Sequence, residues 1–266
     1  MNPIKVAVYG ALGRMGQTLV DALCREPDMQ LVGAVDIKAA EKKLPLPDGS
    51  GTVPLSQNLD EIISAARPEV VVDFSTASAV MPAVRLSAER GVNLVIGTSG
   101  LTANDIKEID RLAKARGVGV AVVPNFALGA VLMTHLAKIA GKYFDFAEII
   151  ELHHHLKADA PSGTALSTAR AMAKARGKPF SIPEGKGSAG RGEQVEGISI
   201  HSVRLPGLLA HQEVLLGGAG QTLKIRHDTI GRECYMPGVM LAIRGVVKHK
   251  GLVYGLETLL GLEKEP

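Results

Sequence analysis

Three consecutive histidines, His153, His154 and His155, open the stretch HHHLKADAPSGTA, and Lys157 stands four residues after the first of them. An imidazole titrates near neutral pH and a lysine carries a positive charge, so the two together suit proton transfer to an anionic substrate. Ser162 then follows Pro161 and opens the helix-like run SGTALSTARAMAKARG. Ser162 can cap that helix, while Gly163 and Thr164 offer backbone N–H groups and a hydroxyl, which makes the helix start a site for a carboxylate. No metal is expected: zinc needs converging ligands, adjacent histidines on a strand point to opposite faces, and only His153 and His155 can share one. The plainer alternative is a strand edge with solvated histidines. Lysine and helix start together favour a pocket for a small carboxylated substrate that must gain a proton.

A second chemistry is written near the N-terminus. YGALGRMG places Gly10, Gly13 and Gly16 in a G-x-x-G-x-x-G pattern, not the usual G-x-G-x-x-G, between a strand-like run and a helix-like one. Such a turn lets backbone approach a pyrophosphate at a helix N-terminus. Asp36 ends the second strand-like run, 20 residues past Gly16. A carboxylate there accepts hydrogen bonds from the adenosine ribose hydroxyls. It would repel a 2′-phosphate, but Arg14 and Lys38 can offset that. NADH is therefore expected to serve well and NADPH to be admitted. IGTSG (96–100) and VPNF (123–126) end two further strands, where open parallel sheets bind ligands.

These residues need a scaffold, and the first half alternates accordingly. IKVAVYG, MQLVGAVD, EVVVDFST, NLVIGT and VGVAVVP read as five strands separated by helices. The helices run from Gly13 to Arg25, after a cap at Asn58, around Ala79 to Arg90 with Pro82 placed in its first turn, and between Thr102 and Gly117. Continuous Val/Ile runs between helices predict a parallel sheet covered on both faces. After Asn125 a helix over 128–141 leads to the strand FAEIIELHHH, a helix after Ser162, and a Gly/Pro/Lys-rich loop near 177–197. The strands ISIHSVR, HQEVLLGG and TLKIRHDT follow, and a helix near 236–249 closes the pattern. The fold class predicted is α/β: a Rossmann-type doubly wound parallel sheet with a second α+β domain on an open mixed sheet. The dinucleotide-binding domain is assigned to 1–125, rejoined by 234–266, and the substrate-binding and oligomerisation domain to 126–233.

Bulk properties restrict the function further. The chain has 266 residues, a net charge of +3 and no block of basic residues, which argues against nucleic acid. Hydrophobic residues reach 46% with only 3% aromatics and no tryptophan, so the core must be aliphatic. Cys24 and Cys234 form neither a metal spacing nor a disulfide framework. With no signal segment and no long apolar run, a cytoplasmic chain without membrane contact is expected.

GALGRMG, DFST, IGTSG, PNF and above all ELHHHLKADAPSGTA, in order over nearly the whole chain, resemble the 4-hydroxy-tetrahydrodipicolinate reductase family of the diaminopimelate route to lysine. The resemblance implies hydride transfer from NADH or NADPH to a cyclic dihydrodipicolinate-type dicarboxylate, giving tetrahydrodipicolinate, by a homotetramer. It implies that His153 is the proton donor and acceptor and Lys157 a second proton donor. It assigns substrate contact to His154 and carboxylate binding to Gly163 and Thr164, beside Ser162. Gly10, Ala11, Leu12, Gly13, Arg14, Met15, Asp36, Gly97, Thr98, Ser99, Val123, Pro124, Asn125 and Phe126 would line the cofactor. His155 and Leu156 fall at variable positions. Ile37 stands where many members have arginine, which weakens any strict preference for NADP. VRLPGLLAHQEV keeps Arg204 and His211 but not the family's usual glycines. Arg232 is either another carboxylate partner or a surface arginine. Two rivals stay open. A semialdehyde dehydrogenase would need a nucleophilic cysteine, and a nicotinamide-sensing binding protein would need no His153–Lys157 pair.

Overall fold

The structure is a computed structural model, described for residues 2–182 and 189–262. Part of the glycine-rich loop, 185–188, whose movement on binding is an open question from the sequence, lies outside the described residues. The chain divides into two compact units, one running to Phe126 and resuming at Tyr235, the other Ala127–Cys234.

The first unit contains β1 (Ile4–Tyr9), α1 (Arg14–Leu23), β2 (Met29–Val35), β3 (Lys43–Pro45), β4 (Thr52–Ser56), α2 (Leu59–Ala66), β5 (Val70–Asp73), α3 (Ala77–Glu89), β6 (Asn93–Ile96), α4 (Ala103–Arg116) and β7 (Gly119–Val122). The second contains α5 (Leu128–Gly141), β8 (Phe146–His153), α6 (Gly163–Arg176), β9 (Glu193–Val195), β10 (Ile198–Arg204), β11 (Ala210–Gly218) and β12 (Gln221–Thr229). The chain ends with α7 (Met236–Val246), β13 (Gly251–Tyr254) and α8 (Leu256–Leu259), in the first unit.

Eight strands build the first sheet, in the order β13-β7-β6-β5-β1-β2-β4-β3. All neighbours are parallel except β3 and β4. Every residue of β5 and β7 is buried, which explains their uninterrupted apolar sequences. Strand order reverses beside β1: β2 lies on one side and β5 on the other. That crevice is where doubly wound sheets bind ligands. Local signals act as the sequence predicts at α2, where the Asn58 side chain accepts from the Asp60 N–H, and at α4, where Thr102 and Asp105 form a capping box and Gly117 closes the helix at φ 64°.

Two sequence expectations need correction here. Pro82 sits in the second turn of α3, not the first, because the helix starts at Ala77. The pattern does not end at the helix near 236–249: α7 stops at Val246, and β13 then pairs with β7. Gly119 admits that return, since a side chain there would collide with the Val246 carbonyl.

The second sheet is mixed, in the order β12-β11-β8-β10-β9, with β8 and β10 parallel. Helices α5 and α6 cover one face around Ile149, Met172, Ile200, Val214 and Leu216, all essentially buried. This packing fixes the C-terminal end of β8, where the histidines begin, over the start of α6. Among the described residues no helix is long and apolar enough to cross a membrane.

Candidate active site

The glycine turn is shaped by contacts a side chain would break. Gly10 has φ 85°, and a Cβ on it would lie 2.5 Å from the Phe74 carbonyl oxygen. At Gly16 a Cβ would collide with the Gly10 carbonyl and the Ala11 backbone, which is how α1 packs so near the turn. Gly10 and Ala11 donate to the Val35 carbonyl, and Gly13 donates back to Gly10. Helix α1 begins with no side-chain cap and no acid in its first turn. The N–H groups of Arg14 and Met15 thus have no partner among the described residues, and they are the donors left for an anion.

Asp36, buried, is already engaged on the protein side. Its Oδ2 accepts from the Leu12 N–H and its Oδ1 from the Lys38 N–H, both at 2.9 Å. The carboxylate braces the turn and retains lone pairs for further donors. Ile37, beside it, is 71% exposed. Across the crevice Asp73 is fully buried at the end of β5, and its Oδ1 accepts from the Ser75 N–H (2.7 Å) and the Thr98 hydroxyl (3.1 Å). Burial pushes its pKa up. It ties the DFST turn to the loop after β6. A Cβ at Gly97 would collide with the Phe74 ring, which stacks at a tilt on Phe126, 5.6 Å between centroids. Of the VPNF segment, Val123 and Phe126 are buried, while Pro124 is exposed and Asn125 partly so. The residues present therefore fit a dinucleotide: a turn that only glycine can make, an uncapped helix start and an acid at the end of β2.

In the second unit β8 delivers His153 as its last residue, partly buried. Two residues before it on the same face, Glu151 is fully buried and reaches the ring: Glu151 Oε2 lies 2.5 Å from His153 Nδ1. Arg204, brought alongside by β10, donates in a fork to both carboxylate oxygens, at 2.8 and 3.0 Å. The Ser162 N–H donates to Glu151 Oε1 at 3.2 Å. Burial raises the Glu151 pKa, but hydrogen bonds from His153 and Arg204 outweigh it and hold the carboxyl at about 2.

Beyond His153 the chain leaves the sheet. His154 and His155 are exposed, and His155 sits in a turn, so it does not share a strand face with His153 as its spacing allowed. Lys157 is partly buried, with its ammonium 2.7 Å from Asp159 Oδ1, an ion pair that lowers the Asp159 pKa. Arg204 holds this loop down by donating to the Asp159 carbonyl at 2.6 Å.

Ser162 caps α6 as predicted: its hydroxyl accepts from the Ala165 N–H. Ser162 is 2% exposed, and its N–H donates to Glu151 Oε1 while its hydroxyl accepts from the Ala165 N–H. Gly163 and Thr164 are exposed instead, open space surrounds Gly163, and neither N–H has a partner among the described residues. The start of α6 therefore presents N–H donors that could hold an anion. Among the described residues no group of three or more His, Cys, Asp or Glu is arranged to hold a metal. Arg232 is half-buried.

Sequence reasoning missed Glu151. The available signal was its separation of two from His153, which on a strand means a shared face. Asp73 was visible within DFST, but nothing local marks its burial.

A doubly wound nucleotide-type unit, followed in the chain by a second unit with a histidine–carboxylate pair beside an open helix start, is an arrangement suited to the class of two-unit reductases and dehydrogenases. Within that class the chain belongs to the dihydrodipicolinate reductase family: the family's N-terminal model matches residues 4–126 and its C-terminal model residues 129–260. A 4-hydroxy-tetrahydrodipicolinate reductase of Dehalococcoides mccartyi is 56% identical over 98% of this chain and all of its own length. One of Moorella thermoacetica is 48% identical over 97% of this chain and 98% of its own. The dipicolinate-bound dihydrodipicolinate reductase of Paenisporosarcina sp. TG-14 superposes with a TM-score of 0.86 at 41% identity, covering 96% of this chain and 99% of that one.

Proposed function

We propose that this chain is a 4-hydroxy-tetrahydrodipicolinate reductase, reducing a cyclic dihydrodipicolinate-type dicarboxylate to tetrahydrodipicolinate in lysine biosynthesis through diaminopimelate. The observation that carries the proposal is the pairing, on one segment, of His153 and Lys157 with the unpartnered N–H groups of Gly163 and Thr164.

NADH or NADPH, when bound, supplies the hydride. The glycine turn, the start of α1, Asp36, the 97–99 loop and the 123–126 segment hold it, so 1–125 with 234–266 is the dinucleotide-binding part. Region 126–233 binds substrate. Gly163, Thr164 and His154 receive a substrate carboxylate, and Lys157 stabilises the conjugated anion that forms as the ring carbon is reduced. His153 protonates the neighbouring carbon. Ser162, which caps α6, completes this substrate cradle.

The protein acts as a cytoplasmic homotetramer. Supporting the assembly, α5 and α6 pack on the face of the second unit's sheet that carries Ile149, Val214 and Leu216, while Phe146, on the opposite face, is 43% exposed. The test is a coupled assay in which dihydrodipicolinate synthase makes the substrate from pyruvate and aspartate semialdehyde. Oxidation of NADH and NADPH is followed separately. Synthase-dependent oxidation is expected, with His153→Gln and Lys157→Ala each lowering kcat by about 10²–10⁴-fold. Undiminished turnover in both variants would remove the assignment.

A further inference from the structure

We propose that Glu151 is the positioning residue of this site: it fixes the orientation and tautomer of the His153 ring and couples that ring to the helix start that receives the substrate carboxylate. The inference rests on the reading of His153 as proton donor and acceptor. Glu151 is fully buried and is touched from three elements. His153, on its own strand, meets Oε2; Arg204 from β10 forks across both oxygens; the Ser162 N–H at the start of α6 meets Oε1. A carboxylate has no reason to be buried unless its partners require it, because losing hydration is costly. The fork prevents it from rotating, so the ring it holds cannot rotate either.

Geometry then decides which nitrogen does the chemistry. Glu151, ionised, can only accept, so Nδ1 must carry a hydrogen. That leaves Nε2 as the nitrogen that exchanges a proton. In the forward step the Nε2–H bond breaks and a C–H bond forms at the substrate carbon, using the electron pair of the enamine-like anion. The ring is left neutral with Nδ1–H still donating to Glu151, and Nε2 takes a proton from water before the next turnover. Arg204 balances the Glu151 charge. The same carboxylate oxygen that takes an Arg204 hydrogen bond also takes the Ser162 N–H, so ring and carboxylate cradle are positioned by one group.

The first test needs no substitution. Nitrogen NMR of histidine-labelled wild-type protein, with His153 assigned by His153→Gln, is expected to show the neutral ring protonated at Nδ1 and bare at Nε2. A neutral ring bare at Nδ1 overturns the proposal. In Glu151→Gln, whose amide can donate as well as accept, the tautomer preference should weaken. kcat should fall about 10–100-fold, less than on losing His153 itself, with KM moving far less. Glu151→Asp, which keeps a charge opposite Arg204 but withdraws it from the ring, should give an intermediate loss should the glutamine variant not fold. In a His153→Gln background Glu151→Gln should lower kcat no further; an equal fall there would overturn the proposal, as would wild-type kcat in Glu151→Gln. Undiminished turnover in His153→Gln is read separately: it removes the role of His153, whereas the wild-type tautomer judges Glu151 by itself.

Discussion

Neutralising Glu151 should reduce stability in a way that fades in acid, and the structure sets the size. The folded carboxyl is held at about 2 against an ordinary 4.5, by His153 and Arg204 acting against burial. A carboxyl lowered by folding stabilises the protein fully above its unfolded pKa and loses that contribution as pH falls toward its folded pKa. The full contribution is about 3 kcal/mol at neutral pH, declining by about 1.4 kcal/mol per pH unit below about pH 4.5. Urea unfolding of wild type and Glu151→Gln, at equal protomer concentration, should therefore show a gap that narrows by about 1.4 kcal/mol between pH of about 5.5 and 3.5. Asp28, Asp159 and Asp228 also have lowered pKa values, but both proteins contain them and they cancel in the difference. The glutamine variant further leaves Arg204 short of a counter-charge, a cost that does not follow the Glu151 titration, so only the slope is diagnostic. A gap equal at both pH values would refute the claim that this buried carboxyl stays ionised.

Asp36→Ala should weaken NADH binding by about 10-fold, through loss of charge-assisted hydrogen bonds, and should raise the NADPH:NADH ratio of kcat/KM; an unchanged ratio would exclude Asp36 from cofactor choice. Gly16→Ala forces a Cβ into the Gly10 carbonyl and Ala11 backbone, so denaturation should report a loss of about 1–3 kcal/mol. NADH titration should fail in that variant while the second unit's spectroscopic signals persist; normal NADH affinity would refute the tight packing of α1 on the turn. Light scattering should give four times the 27.9 kDa chain mass, and a monomer at working concentration would refute the assembly.

The parts of this molecule legible in the sequence are those whose cause is local. Val70–Val72 announce a doubly buried strand because every neighbour in the run is apolar, and Thr102 with Asp105 announces a helix start because the capping partners are three residues apart. Strands β3 and β4 escaped because each is short and contains a proline, Pro45 and Pro54, a residue that argues against a strand when read from sequence. Strand β13 escaped because its four residues are a strand only by pairing with β7, more than a hundred positions earlier.

The same division runs through the site. His153, Lys157 and Ser162–Thr164 are near neighbours in sequence, so their chemistry can be read together. Arg204 stands far from them, and nothing near it says that β10 will lie beside β8 with Arg204 opposite His153. Without that register Glu151 reads as a solvated acid; with it, Glu151 becomes a buried charge whose only tolerable environment is the one it has. The residues proposed to exchange protons with substrate are thus written close together, while the one proposed to hold them in place is specified by sheet pairing. A search for the latter should begin from strand positions two removed from a reactive side chain and ask which buried charge the neighbouring strand neutralises.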